Sequence, residues 1–333
     1  MLARALCAIV LASGLLPGAA SGAAAIERSP TAGRSWLLPL TATAPLKMAW
    51  IPPGRFLMGS VDAEAFHRSD ESPLTKVRLS RGYWLGTTMV TIGEWKALMG
   101  RGVRGQLAKA LRDDTPYDFG GRRETVRAYM RFAARGDPSA YLTGEADELP
   151  MYYVSWQDAV AFCRTLNVRE RAAGRLPPHY EYALPTEAQW EYAGRAGTTT
   201  ASYAGELRTN DDPATVLEAI AWYEGNSASG YTGRGWLING RQAGPHAVRS
   251  KQPNAWGLYD MAGNLWEWCR DWYGPYPGGE VVDPEGPRTG LLRVNRGGSF
   301  GSSAGDERSA ARAGNPPAEA SAFRGFRLAL VPR

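Results

Sequence analysis

Apolar residues cluster in short runs at several places along the chain, and runs of this length bounded by turn residues predict strands. Residues Met48 to Met58 read as one strand that ends in a Gly-Ser turn. Residues Val77 to Leu85 read as a second strand, after a polar loop from Asp62 to Pro73. The last strands of the predicted fold come from residues 293–330.

Three helices are predicted to begin at a capping box, in which a first side chain and the side chain three residues later satisfy each other's free backbone N–H groups. The pairs are Thr91 with Glu94, Ser155 with Asp158, and Thr186 with Gln189. Glycines stand where left-handed C-terminal caps are expected, at Gly100, Gly174 and Gly197. In the second helix one buried face consists of Ala159, Phe162, Cys163 and Leu166. Burial on that face explains the presence of Cys163 without a catalytic or metal-binding role.

The stretch from Pro253 to Trp268 has neither a helical nor an alternating period, so it reads as a wound loop. It places three Trp and one Tyr around two Gly, two Asn and two carboxylates. The aromatic side chains supply burial, and the glycines let the backbone turn. A tightly wound loop could bring Asp260 and Glu267 to one point.

The amino-acid composition limits the class of fold and the kind of partner. The chain has 333 residues, of which 44% are hydrophobic, so a sizeable core is available. The 39 Gly and 23 Pro predict a loop-rich fold. The net charge of +5 is not gathered into one Lys/Arg block, which favours a mildly basic solvated surface over nucleic-acid binding.

Residues 1–25 have the pattern of a signal peptide. Arg4 gives the positive start, Leu6 to Leu16 the apolar core, and Ala23 to Ala25 a small-residue cleavage site. The apolar run is shorter than the roughly 18–20 residues of a membrane span. We therefore expect export and folding in an oxidising compartment, with the periplasm as the predicted location. Residues 26–44 lack any period and read as a flexible lead.

Two cysteines remain once the signal peptide is removed. An even number in an oxidising compartment indicates a disulfide between Cys163 and Cys269. Two separate buried thiols are the alternative, because free Cys is among the most buried residue types. Sequence alone leaves both alternatives open.

Residues 101–149 are rich in arginine. A helix is predicted from about Glu124 to Arg135, with an apolar stripe made of Val126, Tyr129, Met130 and Ala133. A solvated insertion that covers the core is one interpretation. The other is a partner-binding surface, since long insertions in compact domains are often functional. The residues predicted to bind a partner are Arg122, Arg123, Arg127 and Arg131, of which the first three approach one helical face and the last lies one turn on.

Several distinct motifs follow one another along most of the chain. They are Pro53–Ser60, Gly82–Gly86, Val90–Trp95, Pro150–Asn167, LPTEAQWEYA at Leu184–Ala193, the wound loop, Arg293–Phe300 and Gly325–Leu328. In this order they resemble the formylglycine-generating enzyme family, also called the sulfatase-modifying factor family. The resemblance implies one α+β domain over residues 45–333, with a loop-rich, C-type-lectin-like fold and little regular secondary structure.

The same resemblance implies a pair of copper-binding cysteines just after Arg293–Phe300. The first falls on Ser302 and the second near Gly305 to Glu307, where this sequence has no cysteine. A hydroxyl cannot replace a thiolate on copper(I). We therefore expect no copper and no formylglycine-generating activity, and we assign no catalytic residue. His67, His179 and His246 also lack any metal-site spacing.

Calcium is the one cofactor that the resemblance implies here. Its ligands would be the Asp260 and Glu267 side chains with the carbonyls of Gly263 and Leu265, an oxygen set that suits calcium. The alternative is that the two carboxylates pair with arginines or cap loops. A second calcium site would begin at Asn226, but its later aspartate has no match in this sequence.

Among cysteine-less exported members, the chain resembles the TagR-type accessory proteins of type VI secretion. These act upstream of a membrane Ser/Thr kinase of the PpkA type, so the resemblance implies a non-catalytic regulator whose partner is a periplasmic or membrane protein. The alternative is an enzyme of the PvdO type that oxidises a siderophore chromophore. For such an enzyme the candidate residues are Glu307, Arg308 and Arg312.

Overall fold

The computed structural model describes residues 30–40, 44–133, 136–207, 214–232 and 235–333. The predicted signal peptide lies outside the described residues, as does Arg135. Within the described ranges, none of the helices combines the length and apolarity that crossing a bilayer requires.

Short strands dominate the described residues, and the helices are few. The strands are β1 (Ser35–Pro39), β2 (Pro45–Ile51), β3 (Gly54–Met58), β4 (Thr75–Leu79), β5 (Tyr83–Gly86), β6 (Pro116–Asp118), β7 (Arg123–Thr125), β8 (Tyr180–Ala183), β9 (Trp236–Ile238), β10 (Arg241–Ala243), β11 (Trp266–Trp272), β12 (Gly279–Val282), β13 (Arg293–Arg296), β14 (Arg312–Asn315), β15 (Arg324–Gly325) and β16 (Ala329–Pro332). The helices are α1 (Ile92–Met99), α2 (Val103–Arg112), α3 (Val126–Ala133), α4 (Trp156–Ala172), α5 (Glu187–Arg195) and α6 (Ala214–Leu217). This composition confirms the predicted loop-rich α+β class.

A five-stranded sheet in the order β1-β2-β5-β16-β8 joins the two ends of the described chain. All of its pairings are antiparallel. The flexible lead predicted over residues 26–44 is wrong for its middle part, because Ser35–Pro39 pairs with β2 and buries Leu38. Backbone pairing of this kind is invisible in a short segment without a period.

The two long strands of the sequence prediction each divide into two. The first breaks between β2 and β3 at two consecutive prolines, which have no N–H group for a ladder. The second breaks at residues 80–82, where the chain leaves the sheet β12-β4-β3 and enters the five-stranded sheet. Each apolar run was located correctly from the sequence, whereas the strands that pair with it are seen only in the structure.

The predicted capping boxes are all present. At α1, α4 and α5 the hydroxyl of Thr91, Ser155 or Thr186 accepts from the backbone three residues later, and the reciprocal bond is also made. The predicted inner face of α4 is buried along its whole length. These local signals hold because their partners lie within one helical turn.

A four-stranded sheet in the order β14-β13-β11-β15 organises the part of the molecule that carries the candidate site. Strand β11 ends the wound loop and pairs antiparallel with β13 and parallel with β15. In that parallel register Trp266 lies opposite Arg324. The segments that follow β13 and precede β15 therefore meet at the start of β11.

The insertion at residues 101–149 packs on the core rather than standing apart from it. Val103 and Leu107 of α2, with Val126 and Met130 of α3, are buried in the main hydrophobic cluster. The predicted helix begins two residues late, at Val126, because Arg123–Thr125 pairs with β6. Arg122 and Arg123 consequently belong to a hairpin and not to the helix face that the sequence predicted.

Candidate functional site

Two serines mark the place where the sequence resemblance implies redox chemistry. The hydroxyls of Ser299 and Ser302 are hydrogen-bonded to each other at 2.9 Å, and the Trp266 indole N–H donates to Ser302 at 3.0 Å. Ser299 is buried, whereas Ser302 is half-buried. These groups form part of the polar lining of a cavity of about 360 Å³.

The rest of the cavity is mostly aromatic and draws its walls from distant parts of the chain. Its aromatic lining residues are Tyr129, Tyr153, Trp236, Trp266 and Phe323. Tyr129 and Met130 come from α3 of the insertion, and Trp236 comes from the hairpin of β9 and β10. Apolar walls with a few convergent polar groups are typical of ligand cavities, whose volumes are about 300–1,000 Å³.

One ion pair lies in the cavity wall. Arg324 donates to Glu319, and the Asn315 amide donates to the other carboxylate oxygen at 3.0 Å. The Tyr129 hydroxyl lies near the same carboxylate and interacts with it electrostatically, so the insertion borders this wall. Burial, with a smaller contribution from Glu319, raises the pKa of Tyr129 to about 12. Tyr129 is therefore a neutral phenol at physiological pH.

Neither Cys163 nor Cys269 lines this cavity. Cys163 and Cys269 are unbridged and buried in two different hydrophobic clusters, so the structure has the second alternative, two separate thiols, in place of the predicted disulfide. Burial raises the pKa of both thiols, which holds them in the neutral form. Neither can replace the pair that the resemblance implies after β13.

Glu307 lies at the end of the same segment and is fully buried. Neither of its carboxylate oxygens has a hydrogen-bond partner among the described residues, although the backbone N–H groups of Ser299 and Gly263 are near. Burial, followed by the neighbouring Asp306, raises the pKa of Glu307 well above its usual value. The carboxyl packs on the backbone of Gly298, where any Cβ would clash with it at 2.3 Å, and does not line the cavity.

The two arginines proposed for an oxidase are occupied inside the protein. Arg308 binds Glu71 through two nitrogens, at 2.5 and 2.7 Å, and Glu64 at 2.8 Å. Arg312 binds both oxygens of Glu187 at 2.7 Å. Both guanidinium groups are buried, and neither lines the cavity. They hold the segment after β13 in place and are not available to a substrate.

The wound loop brings its two carboxylates into different environments. Both oxygens of Glu267 accept from Arg327 at 2.6 Å, and the Trp190 indole donates to one of them at 3.0 Å. Asp260 accepts from the backbone N–H of Arg249 at 3.0 Å. Burial raises the pKa of Asp260 to about 6.

These contacts bear on the calcium prediction. Any ion bound by Glu267 would share that carboxylate with Arg327, while Asp260 forms no salt bridge among the described residues. For the second predicted site, the amide of Asn226 bonds to Glu218 and to the Ala221 carbonyl. In the described ranges no three His, Cys, Asp or Glu side chains converge as a metal cluster. Calcium on the Asp260, Gly263, Leu265 and Glu267 oxygens stays a prediction.

The arginines predicted to bind a partner differ in their contacts. Arg122 pairs with Glu124 at 3.1 Å and stacks over Phe132, and Arg127 pairs with Asp114. Arg123 and Arg131 are exposed and form no ion pair with any described residue. Of these four arginines, Arg123 and Arg131 are therefore the two without an ion-pair partner among the described residues.

Sequence reasoning missed most of the cavity. Glu319 and Arg324 lie just before the closing motif, and Trp236 and Phe323 belong to no motif that the sequence analysis used. Tyr129 was assigned to an apolar stripe, which is correct for its ring but not for its hydroxyl. The one available signal was the serine at the position of an implied thiolate, and it pointed to the right segment.

Comparison with known proteins agrees with the sequence resemblance. Residues 38–331 match a family described as "Sulfatase-modifying factor enzyme 1-like domain". The chain is 32% identical over 304 residues to the formylglycine-generating enzyme of Streptomyces coelicolor, covering 84% of this chain and 87% of that protein. It is also 30% identical to the serine/threonine-protein kinase pkn1 of Chlamydia caviae, covering 85% of this chain but only 38% of the kinase.

A solved structure supports the same fold. PvdO from Pseudomonas aeruginosa superposes with a TM-score of 0.62 at 22% sequence identity, covering 91% of this chain and 99% of that one. At this level of identity the likeness concerns the fold alone.

Proposed function

The chain belongs to the sulfatase-modifying factor family, and we propose that it is an exported, non-catalytic member that binds and regulates another protein. The observation that carries this proposal is the cavity after β13, which is open and largely aromatic and is lined by the hydroxyls of Ser299 and Ser302 where the resemblance implies thiolates. Copper(I) needs thiolates, and a serine pair supplies none. The described residues that line the cavity thus include none of the thiolates that the family's oxidation chemistry requires.

We further propose that the regulated partner is a membrane Ser/Thr kinase of the PpkA type, through which the protein promotes type VI secretion. A relative of this domain lies within a chain named as a serine/threonine kinase, which supports a functional link between the two. The signal-peptide pattern of residues 1–25 supports action in the periplasm. Calcium in the wound loop is part of the proposal as a structural ion that stabilises the domain.

The alternative, an oxidase of a siderophore chromophore, has less support. Its candidate residues Arg308 and Arg312 are held by Glu71 and Glu187 inside the protein, and Glu307 does not line the cavity. Among the described residues, no acid or base of the alternative reaches the place where a substrate would lie.

Three measurements test the proposal. Purified protein should capture the periplasmic region of the kinase from the same genome, and deletion of the gene should lower phosphothreonine on that pathway's substrates. Incubation with copper and a sulfatase-type cysteine peptide should yield no formylglycine by mass spectrometry. Copper-dependent turnover of that peptide would contradict the non-catalytic assignment.

A further inference from the structure

A second cavity, of about 530 Å³, lies beside the first turn of α1, and we call it the α1 cavity. Its walls come from the start of β2, from α1, and from residues 147–148 and 248–249. Among the described residues, none lines both the α1 cavity and the cavity that follows β13. The volume of the α1 cavity is within the roughly 300–1,000 Å³ that is typical of small-ligand sites.

Glu94 supplies a buried acid to the α1 cavity. It is only 5% exposed, and its carboxylate accepts from the Thr91 N–H at 2.8 Å. None of the described residues forms a salt bridge with it. Burial is the main cause that raises the pKa of Glu94 to about 7, and the positive charge of Arg249 opposes this shift. A cation bound against Glu94 would compensate the negative charge that burial disfavours.

Arg249 supplies an unpaired cation to the same cavity. Its side chain is exposed, forms no salt bridge with any described residue, and donates to the Thr87 hydroxyl at 3.4 Å, which is a weak hydrogen bond. The backbone of Arg249 has a φ of 65°, and its N–H donates to Asp260 at 3.0 Å. This backbone bond holds the loop at the point where the side chain leaves it. The guanidinium therefore lines the cavity without an anion of its own.

The other charges of the α1 cavity do not neutralise this arrangement. Lys96 pairs with Asp147 at 2.7 Å, so these two compensate each other. Glu148 is exposed and forms no ion pair with any described residue. The small or apolar lining residues are Ala44, Pro45, Ala97 and Val248. The cavity thus offers one buried acid and one cation that both lack an ion-pair partner, with apolar surface beside them.

We propose that the α1 cavity binds a small zwitterion, which is an amino acid or a short peptide with a free N-terminus and a free C-terminus. The ligand's carboxylate pairs with Arg249, and its ammonium group pairs with ionised Glu94. Small apolar side chains of the ligand pack on Ala97 and Val248. Charge-assisted hydrogen bonds at both ends are stronger than neutral ones, so the site selects for both charges. This site is separate from the proposed kinase-binding function, and neither depends on the other.

Alanyl-alanine and L-alanine are the probes, because they present the same side chain as a peptide and as a free amino acid. Each is titrated by isothermal calorimetry into the protein lacking residues 1–25. N-acetylation of either probe removes the ammonium group, and C-terminal amidation removes the carboxylate. Glu94→Gln removes the acid but keeps an acceptor for the Thr91 N–H, and Arg249→Gln removes the cation. Arg288→Gln makes the same change at an exposed arginine outside the cavity lining.

We expect at least one zwitterion to bind, and its acetylated and amidated forms to bind at least about tenfold more weakly, which corresponds to about 1.4 kcal/mol. Arg249→Gln and Glu94→Gln should each weaken binding by a similar factor, whereas Arg288→Gln should bind like wild type.

The ammonium group favours the ionised form of Glu94, whose pKa is about 7. Binding at a lower pH should therefore release a proton, and the affinity should rise as pH increases from about 6 to about 7.5. Glu94→Gln should show no proton release, which a purely structural role of Glu94 would not predict.

Failure of both zwitterions to bind, or equal binding of the free and blocked forms, overturns the site. Wild-type affinity in a folded Arg249→Gln variant does so as well, and this variant keeps the test decisive if Glu94→Gln does not fold. An affinity that does not change with pH contradicts the pairing of the ligand's ammonium group with Glu94.

Discussion

Arg327 donates from Nε and Nη2 to the two carboxylate oxygens of Glu267, at 2.6 Å each, and both side chains are fully buried. The pair joins the closing motif of the chain to the wound loop. Arg327 also donates to the carbonyls of Gly86 and Tyr259, so one guanidinium connects three separate segments. A charge removed from this pair leaves its partner buried and uncompensated.

Glu267→Gln should therefore lower the free energy of unfolding by about 3–5 kcal/mol, which is typical when one partner of a buried pair is removed. Glu280→Gln is the matched control, because Glu280 pairs with Arg55 at 2.8 Å on the exposed surface. The control should change stability by about 1 kcal/mol or less. Urea unfolding of the three proteins measures both values, and equal losses in the two variants would show that the buried pair has no special role.

Calcium should raise the melting temperature of the wild-type protein. A ligand that binds only the native state adds about 2.7 kcal/mol at a hundredfold excess over Kd. Asp260→Asn keeps the shape of the side chain but removes the anionic ligand, so the increase should disappear in that variant. Differential scanning fluorimetry with calcium and with EDTA checks this. If full metal extraction leaves the melting temperature unchanged, calcium does not stabilise the loop, and Arg327 is the cation that balances its carboxylates.

Stability should fall as pH rises through neutrality because of Glu94. Burial raises the pKa of this carboxyl from 4.5 to about 7, so the folded state holds a proton that the unfolded state has released. The contribution is fully present below about pH 4.5 and is lost as pH rises through about 7. Glu94→Gln preserves the capping box at α1 without titrating. The stability of wild type relative to this variant should decrease over that window, and a constant difference would contradict the assignment.

The two thiols should be unreactive in the folded protein and free after denaturation. Cys163 and Cys269 are buried and unbridged, so the protein without residues 1–25 should show no thiol to Ellman's reagent when native. Two thiols per chain should appear in guanidinium chloride without reductant. Their absence under denaturing conditions would mean that the exported protein forms the bridge that the sequence suggested.

Signals that act within one helical turn were readable from the sequence. The boxes at Thr91, Ser155 and Thr186 and the inner face of α4 follow from spacing alone, because each partner lies three or four residues away. The segment of the cavity was also readable, since a serine stood where the family resemblance implied a thiolate at position 302.

Relationships between distant residues were not readable in the same way. Glu319 contacts Tyr129 across 190 positions, and no local pattern in either segment predicts that contact. Strand β1 was not predicted because its own sequence has no period. Its extended structure depends on pairing with β2. The arginine face predicted on α3 failed for Arg122 and Arg123 because their backbone pairs with β6 instead.

We propose that the cavity around Ser299 and Ser302 binds a kinase partner. The most informative measurement is the autophosphorylation rate of that kinase in proteoliposomes as the purified protein is titrated onto its periplasmic side. We expect a saturable increase with wild type and little or none with a folded Ser302→Trp variant, whose cavity is filled. No increase at any concentration of wild-type protein would show that the cavity does not serve a kinase partner.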